Sequence, residues 1–369
     1  MNLPSSAASD ETHAGDGGRT SLWSASEIFV STERQTRTDV LIFEELALHL
    51  VRHAPVEERR RSARLLARHP NAPAAVLRAY LNDEFAVAEV VISDAPISDV
   101  DLLATIATGT PGHRLAIARR ADLSPAVTEA IVRVAEPEVV WVLADNTSTV
   151  FEPAVEAALA RRGRTDPELA RRLGRRPNIR DDSLIELFLA LDAKARRRAL
   201  QALELRALKH LVKNRLLVTP GPISPAAATR LSEAAASGDP ERYGALVSEI
   251  ASVPAAIGRA LVEDAGGEAL ALALRSAGVA TDLIIRLLMT NAPGEPRDYH
   301  ELKRLADVLD QVTPRAAMLL ADQWRSGQAS GRTVHVPPTI EPRDHHREVA
   351  QRPSEARATA RVEAERQSG

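Results

Sequence analysis

The chain has 369 residues, of which 44% are hydrophobic, with 47 Lys and Arg against 50 Asp and Glu and no cysteine. A net charge of -3 gives no global attraction to nucleic acid or to an anionic membrane, so any such affinity has to come from a local patch. Without cysteine there are no disulfides, no thiolate nucleophile and no Cys-ligated zinc or iron–sulfur site; no apolar run reaches membrane-spanning length and no secretory signal opens the chain, so a cytoplasmic location is expected.

Residues 1–38, rich in Ser, Thr, Gly and charge, are expected to be disordered. From Asp39, read as an N-cap, Val40, Phe43, Leu46, Ala47 and Leu50 fall on one helical face. A second helix opens after Pro55 and runs to Leu66. There Leu66-Ala67-Arg68-His69-Pro70-Asn71 begins a motif of apolar helix end, polar turn and helix start. It returns, degraded, at Val91-Ile92-Ser93-Asp94, Ile117-Ala118-Arg119-Arg120, Leu143-Ala144-Asp145-Asn146 and Leu173-Gly174-Arg175-Arg176. A recurrence roughly every 25 to 30 residues marks stacked repeats. Ser124 fits an N-cap, and Ser98 with Asp101 a weak capping box. Pairs such as Val76 with Tyr80 and Val155 with Leu159 make stripes too narrow for a private core, so neighbouring repeats must cover one another.

The regular spacing ends near Leu191. A long helix is expected from Ala193 to Leu217, stopped by Thr219-Pro220-Gly221-Pro222, followed by short helices up to Trp324. The expected class is all-α: a disordered segment 1–38, an α-solenoid over 39–192, a second all-helical unit over 193–330 and a disordered tail over 331–369.

The turn Arg68-His69-Pro70-Asn71-Ala72-Pro73, its copies and the stretch from Ser237-Gly238-Asp239-Pro240 to Gly278 resemble the bacterial domain-of-unknown-function family 2336, over residues 39 to 325. The repeat also resembles leucine-rich-repeat variants and HEAT-type repeats, which implies a stack of paired short helices. Some variant-repeat relatives carry a Cys-ligated iron–sulfur segment, from which this cysteine-free chain departs. The family brings no activity to carry over.

Catalytic spacing is missing: there is no phosphate-binding Gly-Lys-Ser/Thr loop, no Gly-x-Ser-x-Gly and no dinucleotide fingerprint. His49 and His53 have the spacing of a two-His metal pair, but Leu50 follows His49 where a metalloprotease helix has Glu, and a solvent-facing pair is expected. His345-His346 falls in the tail, and His69 reads as a helix-end residue. Glu44-Glu45 and Asp181-Asp182 are adjacent carboxylates, the latter expected at a helix start. No metal, cofactor or catalytic residue is therefore assigned, and a non-enzymatic protein is expected.

The strongest polar signal is charge segregation, with 16 Lys and Arg against 7 Asp and Glu between residues 161 and 215. Arg161, Arg162, Arg171, Arg172, Arg175 and Arg176 gather around two repeat turns. On the following helix Arg198, Arg206, Lys209 and Lys213 are expected opposite Leu200, Leu203, Leu208 and Leu211. These ten cations form a candidate anion- or partner-binding patch, although Arg outnumbers Lys 43 to 4 across the chain and aromatics for base stacking are few. The leading expectation is a scaffold or adaptor that binds a protein partner. The alternative is phosphate-backbone binding to nucleic acid through 161–215. Self-association of the basic middle with Asp10-Glu11 or Glu263-Asp264 of another copy is also open.

Overall fold

Helix starts follow the Ser, Thr, Asp and Pro residues. The computed structural model describes residues 21–121, 123–212, 220–290 and 297–326, and within them the chain forms α-helices and one 3-10 turn, with no strand. In order the helices are α1 (Leu22–Ser31), α2 (Arg37–Val51), α3 (Val56–Leu66), α4 (Ala74–Leu81), α5 (Phe85–Asp94), α6 (Asp99–Thr108) and α7 (Pro111–Ala118). They continue as α8 (Pro125–Val134), α9 (Pro137–Asp145), α10 (Pro153–Gly163), α11 (Pro167–Arg175) and α12 (Asp181–Glu186). After the 3-10 turn Phe188–Ala190 come α13 (Ala193–Val212), α14 (Pro225–Ala236), α15 (Pro240–Ala251) and α16 (Ala255–Glu263). The last four are α17 (Glu268–Ser276), α18 (Thr281–Thr290), α19 (Tyr299–Gln311) and α20 (Pro314–Ser326). Ser21, Ser98, Ser124, Asp166, Ser224, Asp239 and Asp298 each accept a first-turn backbone N–H, which satisfies donors a helix leaves open. Proline opens α7 through α11, where its missing N–H costs nothing.

Helices two apart pack on each other. One layer runs α1, α3, α5, α7, α9, α11, each against the next; the other pairs α2 with α4 and carries α6, α8, α10 and α12 in succession. This neighbour-on-neighbour order is an α-solenoid, and it follows from the narrow stripes: α4 buries Val76, Leu77, Tyr80 and Leu81, and α10 buries Val155, Leu159 and Ala160, each against adjacent helices.

The first corrections lie at the N-terminal end. Residues 22–31 are a helix, against the expectation of disorder to residue 38, because Leu22, Ala25 and Phe29 stand three and four apart and bury against α3 and α2. Phe29 stacks on Phe43 with ring centroids 4.1 Å apart. A buried hydroxyl row fixes the contact: Ser26 Oγ lies 2.5 Å from Ser62 Oγ, which lies 2.7 Å from the Tyr80 hydroxyl. Burial pushes the Tyr80 phenol up to about 12. The cap of α2 is Thr36 rather than Asp39; Asp39 closes a capping box from three residues inside. Residues 1–20 and the tail expected over 331–369 lie outside the described residues.

No break separates residues 192 and 193, where two units were expected. Two apolar clusters, Leu22 to Ala95 and Leu81 to Trp324, share α4 and α5, and the second runs without interruption through α13 to α20. Phe188 packs edge-on to Trp324, and Arg196 of α13 joins the carbonyls of Phe188 and Leu189 to Asp264, at 2.8 and 3.0 Å for the two Asp264 contacts. Helix α17 is the centre of this part, with every residue from Glu268 to Leu274 buried. Where α15 crosses α16, a Cβ on Gly258 would stand 2.4 Å from the Gly244 carbonyl oxygen, so only glycine permits the approach.

Helix α13 was expected to carry Leu200, Leu203, Leu208 and Leu211 on one side, opposite its cations. Leu200 and Leu203 are buried, but Leu208 is 56% exposed and Leu211 is exposed as well. The contact face is centred instead on Ala195, Ala199, Ala202 and Ala207, which admit the close approach of α12 and α20. Residues 213–219, where the helix was expected to continue, lie outside the described residues.

Candidate functional site

The repeat turn carries the most constrained polar chemistry in the chain. The last carbonyls of a helix have no intrahelical donor. Here the donor comes from the next repeat. Arg120 donates to the carbonyls of Ile92 and Ala95. Asn146 Nδ2 donates to Ala118 and Arg120 at 2.9 and 2.6 Å. Arg176 donates to Ala144 and Asn146, both at 2.8 Å, and to Thr149. Arg198 donates to Gly174, Arg176 and Pro177 at 3.1, 3.0 and 3.2 Å. Each of the first three occupies the same motif position, the fourth, three residues after the apolar residue that begins it, so the turns are stapled in a row from Ile92 to Pro177.

This geometry divides the ten-cation patch. Arg176 is not a ligand-binding group: it is 6% exposed, its guanidinium lies 4.1 Å from the Phe151 ring centre, and burial pulls its pKa down from the ordinary guanidinium value. Arg198 is committed to the three carbonyls above, and Arg162 reaches the Ala135 carbonyl. Arg172 pairs with Asp145 and with Glu168 at 2.7 Å and lies over Trp141; Arg171 pairs with Glu168 at 2.5 Å and Arg206 with Asp182. Arg161, Arg175 and Lys209 remain outward, Arg175 being 68% exposed with Asp192 at 3.8 Å. Lys213 lies outside the described residues. The cations contiguous in sequence are thus divided in space, because successive residues of a helix or turn point in different directions.

Side chains that the sequence reading passed over form a second set of staples. Arg114 donates to the carbonyls of Ile106 and Gly109 and grips Glu136 of the next repeat at 2.5 and 3.0 Å. That pairing holds the Glu136 carboxyl at about 2, well below the usual carboxylate range. Arg59 does the same between the Ala54 carbonyl and Asp83. Glu156, buried, accepts from Arg180 N at 2.9 Å and Ser183 Oγ at 2.6 Å. The available signal was an Arg near the start of one helix and an acid about one repeat later.

Asp181 and Asp182 stand in the first turn of α12. With Arg180, Arg206 and Lys209 they line a surface cleft of about 430 Å³ whose charges largely offset one another. His49 and His53 lie edge to face with centroids 5.7 Å apart. His69 accepts from the Asn71 N–H at 3.2 Å. Among the described residues no group of three or more His, Asp or Glu is placed to hold a metal ion, and no single helix is long and apolar enough to cross a membrane. Asp10-Glu11 and His345-His346 lie outside the described residues.

Outward positions repeat as regularly as the staples. Glu89, Leu115, Trp141 and Arg171 hold the same place on α5, α7, α9 and α11, each partly or largely exposed. A family model described as "Uncharacterised protein conserved in bacteria (DUF2336)" matches residues 87–321, from within α5 to within α20. The chain belongs to this family. No curated protein and no solved structure matches it. The DUF2336 match spans both the stapled turns and the α13–α20 helices, so the family unit includes the junction around Arg196, while α1 to α4 precede it.

Proposed function

We propose that the chain is a non-enzymatic scaffold or adaptor, built from HEAT-like or leucine-rich-repeat-variant helical pairs, that binds a protein partner along the layer formed by α5, α7, α9 and α11. The observation that carries this reading is the outward column Glu89, Leu115, Trp141, Arg171: one structural position, repeated on successive helices, with acidic, aliphatic, aromatic and basic chemistry in turn. Within the column Leu115 and Trp141 also help to join the repeats, Trp141 donating to Asp166 at the start of α11, so recognition rests on the faces that these half-buried residues and the exposed Arg171 turn to solvent. The test is affinity capture from bacterial lysate with the full chain. A saturable protein partner that withstands nuclease treatment, and is lost on Leu115→Glu and on Arg171→Glu with the helical signal intact, supports the proposal. No saturable partner, or one indifferent to both substitutions, refutes it.

Nucleic-acid binding through 161–215 is the second reading, favoured by the exposure of Arg161, Arg175 and Lys209. Phosphate contacts by these three cations give a logarithmic salt dependence of about -2 to -3, to which other exposed cations of the stretch, such as Arg171 and Arg197, add. Binding absent at low salt, or unchanged when all three are replaced by Gln, removes it.

A further inference from the structure

Helix α7 opens on Thr110-Pro111-Gly112-His113, a capping box in which histidine stands at the third helical position, where Glu or Gln is the usual partner of the cap. Neither of the usual residues changes charge near neutral pH, whereas imidazole does. His113 Nδ1 accepts the Thr110 backbone N–H at 3.3 Å and lies 2.8 Å from Thr110 Oγ1. A backbone N–H only donates, so Nδ1 carries no proton and the ring is neutral, with its hydrogen on Nε2. A proton added at Nδ1 would still find the Thr110 hydroxyl oxygen, but it would face the Thr110 N–H and deprive that donor of its acceptor. The ring is 6% exposed and stands edge-on to Phe85 of α5, with centroids 5.4 Å apart. A Cβ on Gly109 would come within 3.0 Å of the His113 Cβ, and one on Gly112 within 3.2 Å of the Phe85 ring, so glycine at both positions lets the turn close on the imidazole.

Burial sets the proton affinity of His113 below the ordinary histidine value, helped by the neighbouring Arg114 guanidinium and opposed by a hydrogen bond to the Asp83 backbone. The acids of the elements packed on α7 are engaged elsewhere or face solvent. Before α5, Asp83 and Glu84 hold Arg59, and Asp94 at its far end holds Arg68. On α6 Asp101 holds Arg78; on α9 Glu136 holds Arg114 and Asp145 holds Arg172. On α8 Glu129 and Arg133 pair with each other, and Glu89, Asp99 and Glu138 are partly or fully exposed. We infer that the Thr110–His113 turn is a proton-sensitive latch: the neutral imidazole holds α6, α7 and α5 together, and a proton taken up by His113 releases α7 from that junction. Linkage gives the sign. With a folded affinity below the ordinary value of 6.5, the latch is closed above pH 6.5 and gives way as pH falls from there through the folded value. Its place in the stack carries a local release to the surface, because α7 bears Leu115 between Glu89 of α5 and Trp141 of α9, and each helix is held by its neighbours alone. Acid thus divides the outward column in two. The latch depends on the stack and not on any partner of that column.

The test is amide hydrogen exchange of the full chain between about pH 7.5 and 5, corrected for the intrinsic pH dependence of exchange, with peptides from α7 compared with peptides from α11. Uptake of one proton raises the opening constant of α7 by up to about tenfold per pH unit inside the window, while α11 changes little. His113→Gln keeps a capping-box residue at the third position and does not titrate, so its α7 exchange stays level over the same range. In the wild type the imidazole Cε1–H resonance that vanishes in His113→Gln is expected to titrate with a midpoint below 6.5. Wild-type α7 exchange that does not accelerate relative to α11 overturns the latch, and this arm requires no variant to fold. So does the same acceleration in His113→Gln as in the wild type, or a His113 midpoint at or above 6.5.

Discussion

Replacing Arg176 with Ala removes one side chain and unseats three carbonyls. In the native turn the guanidinium satisfies Ala144, Asn146 and Thr149 together and covers the Phe151 ring. A buried acceptor left without a donor costs about 1–3 kcal/mol, and over three carbonyls water entering the hole recovers part of the loss. The expected destabilisation is therefore about 3–5 kcal/mol, a large share of the roughly 5–15 kcal/mol that holds a domain together. Arg176→Lys keeps the charge but not the planar fork, and is expected to recover less than half. The neighbouring Arg175→Ala supplies the contrast. Its guanidinium is exposed and meets Asp192 only at 3.8 Å, so the change stays within about 0.5 kcal/mol. Urea denaturation followed by circular dichroism measures all three. Hydrogen exchange locates the effect, with protection lost first in α9 to α11 because coupling in a stack is between neighbours. If Arg176→Ala and Arg175→Ala cost the same, the assignment of Arg176 as a staple is wrong.

Three further outcomes follow from other junctions. Glu136 has a folded pKa of about 2 against 4.5 for the free group, so its contribution is complete above pH 4.5 and is lost as pH falls from there toward 2; thermal melts of wild type and Glu136→Gln should differ at pH 7 and converge by pH 2–3. Arg196→Met leaves the half-buried Asp264 and the buried Glu268 carboxylates together without their shared cation; a loss of about 3–5 kcal/mol in chemical denaturation is expected, and Asp264→Asn combined with Arg196→Met should recover part of it. Ser62→Ala breaks the hydroxyl row between Ser26 and Tyr80 and should cost about 1–3 kcal/mol, with hydrogen exchange faster in α1 than in α9.

The repeat was legible because it is written in local chemistry. A capping Ser, a Pro at the first helical position and apolar residues three and four apart are short-range signals, and Ser124, Pro125, Val127 and Ile131 behave as that reading requires. What was hidden is non-local or depends on phase. Helix α1 was hidden by averaging: its Leu22, Ala25 and Phe29 sit in a segment whose overall composition is polar, and only their partners on α2 and α3 make them a core. At the expected domain boundary a change in repeat spacing is not a gap in packing; Arg196 and Phe188 reach across it. In the candidate patch, Arg175 and Arg176 are indistinguishable as letters, yet one residue of rotation sends the first to solvent and the second into the turn.

The excess of Arg over Lys acquires a physical reason from the same contacts. Composition alone reads it as a surface bias, but Arg59, Arg114, Arg120, Arg162, Arg176, Arg196, Arg198 and Arg325 all donate to backbone carbonyls, and most serve two or three groups at once. A guanidinium offers five donors in a fixed plane, whereas an ammonium offers three around a point that is costly to dehydrate. Only the former bridges the diverging carbonyls at a helix end while lying flat on an aromatic ring, as Arg176 does on Phe151. Part of the positive charge concentrated between residues 161 and 215, that of Arg162, Arg176, Arg196 and Arg198, therefore serves to join neighbouring elements. The surface available for recognition has to be read from the side chains this joining leaves exposed, such as Arg161 and Lys209, rather than from the charge total.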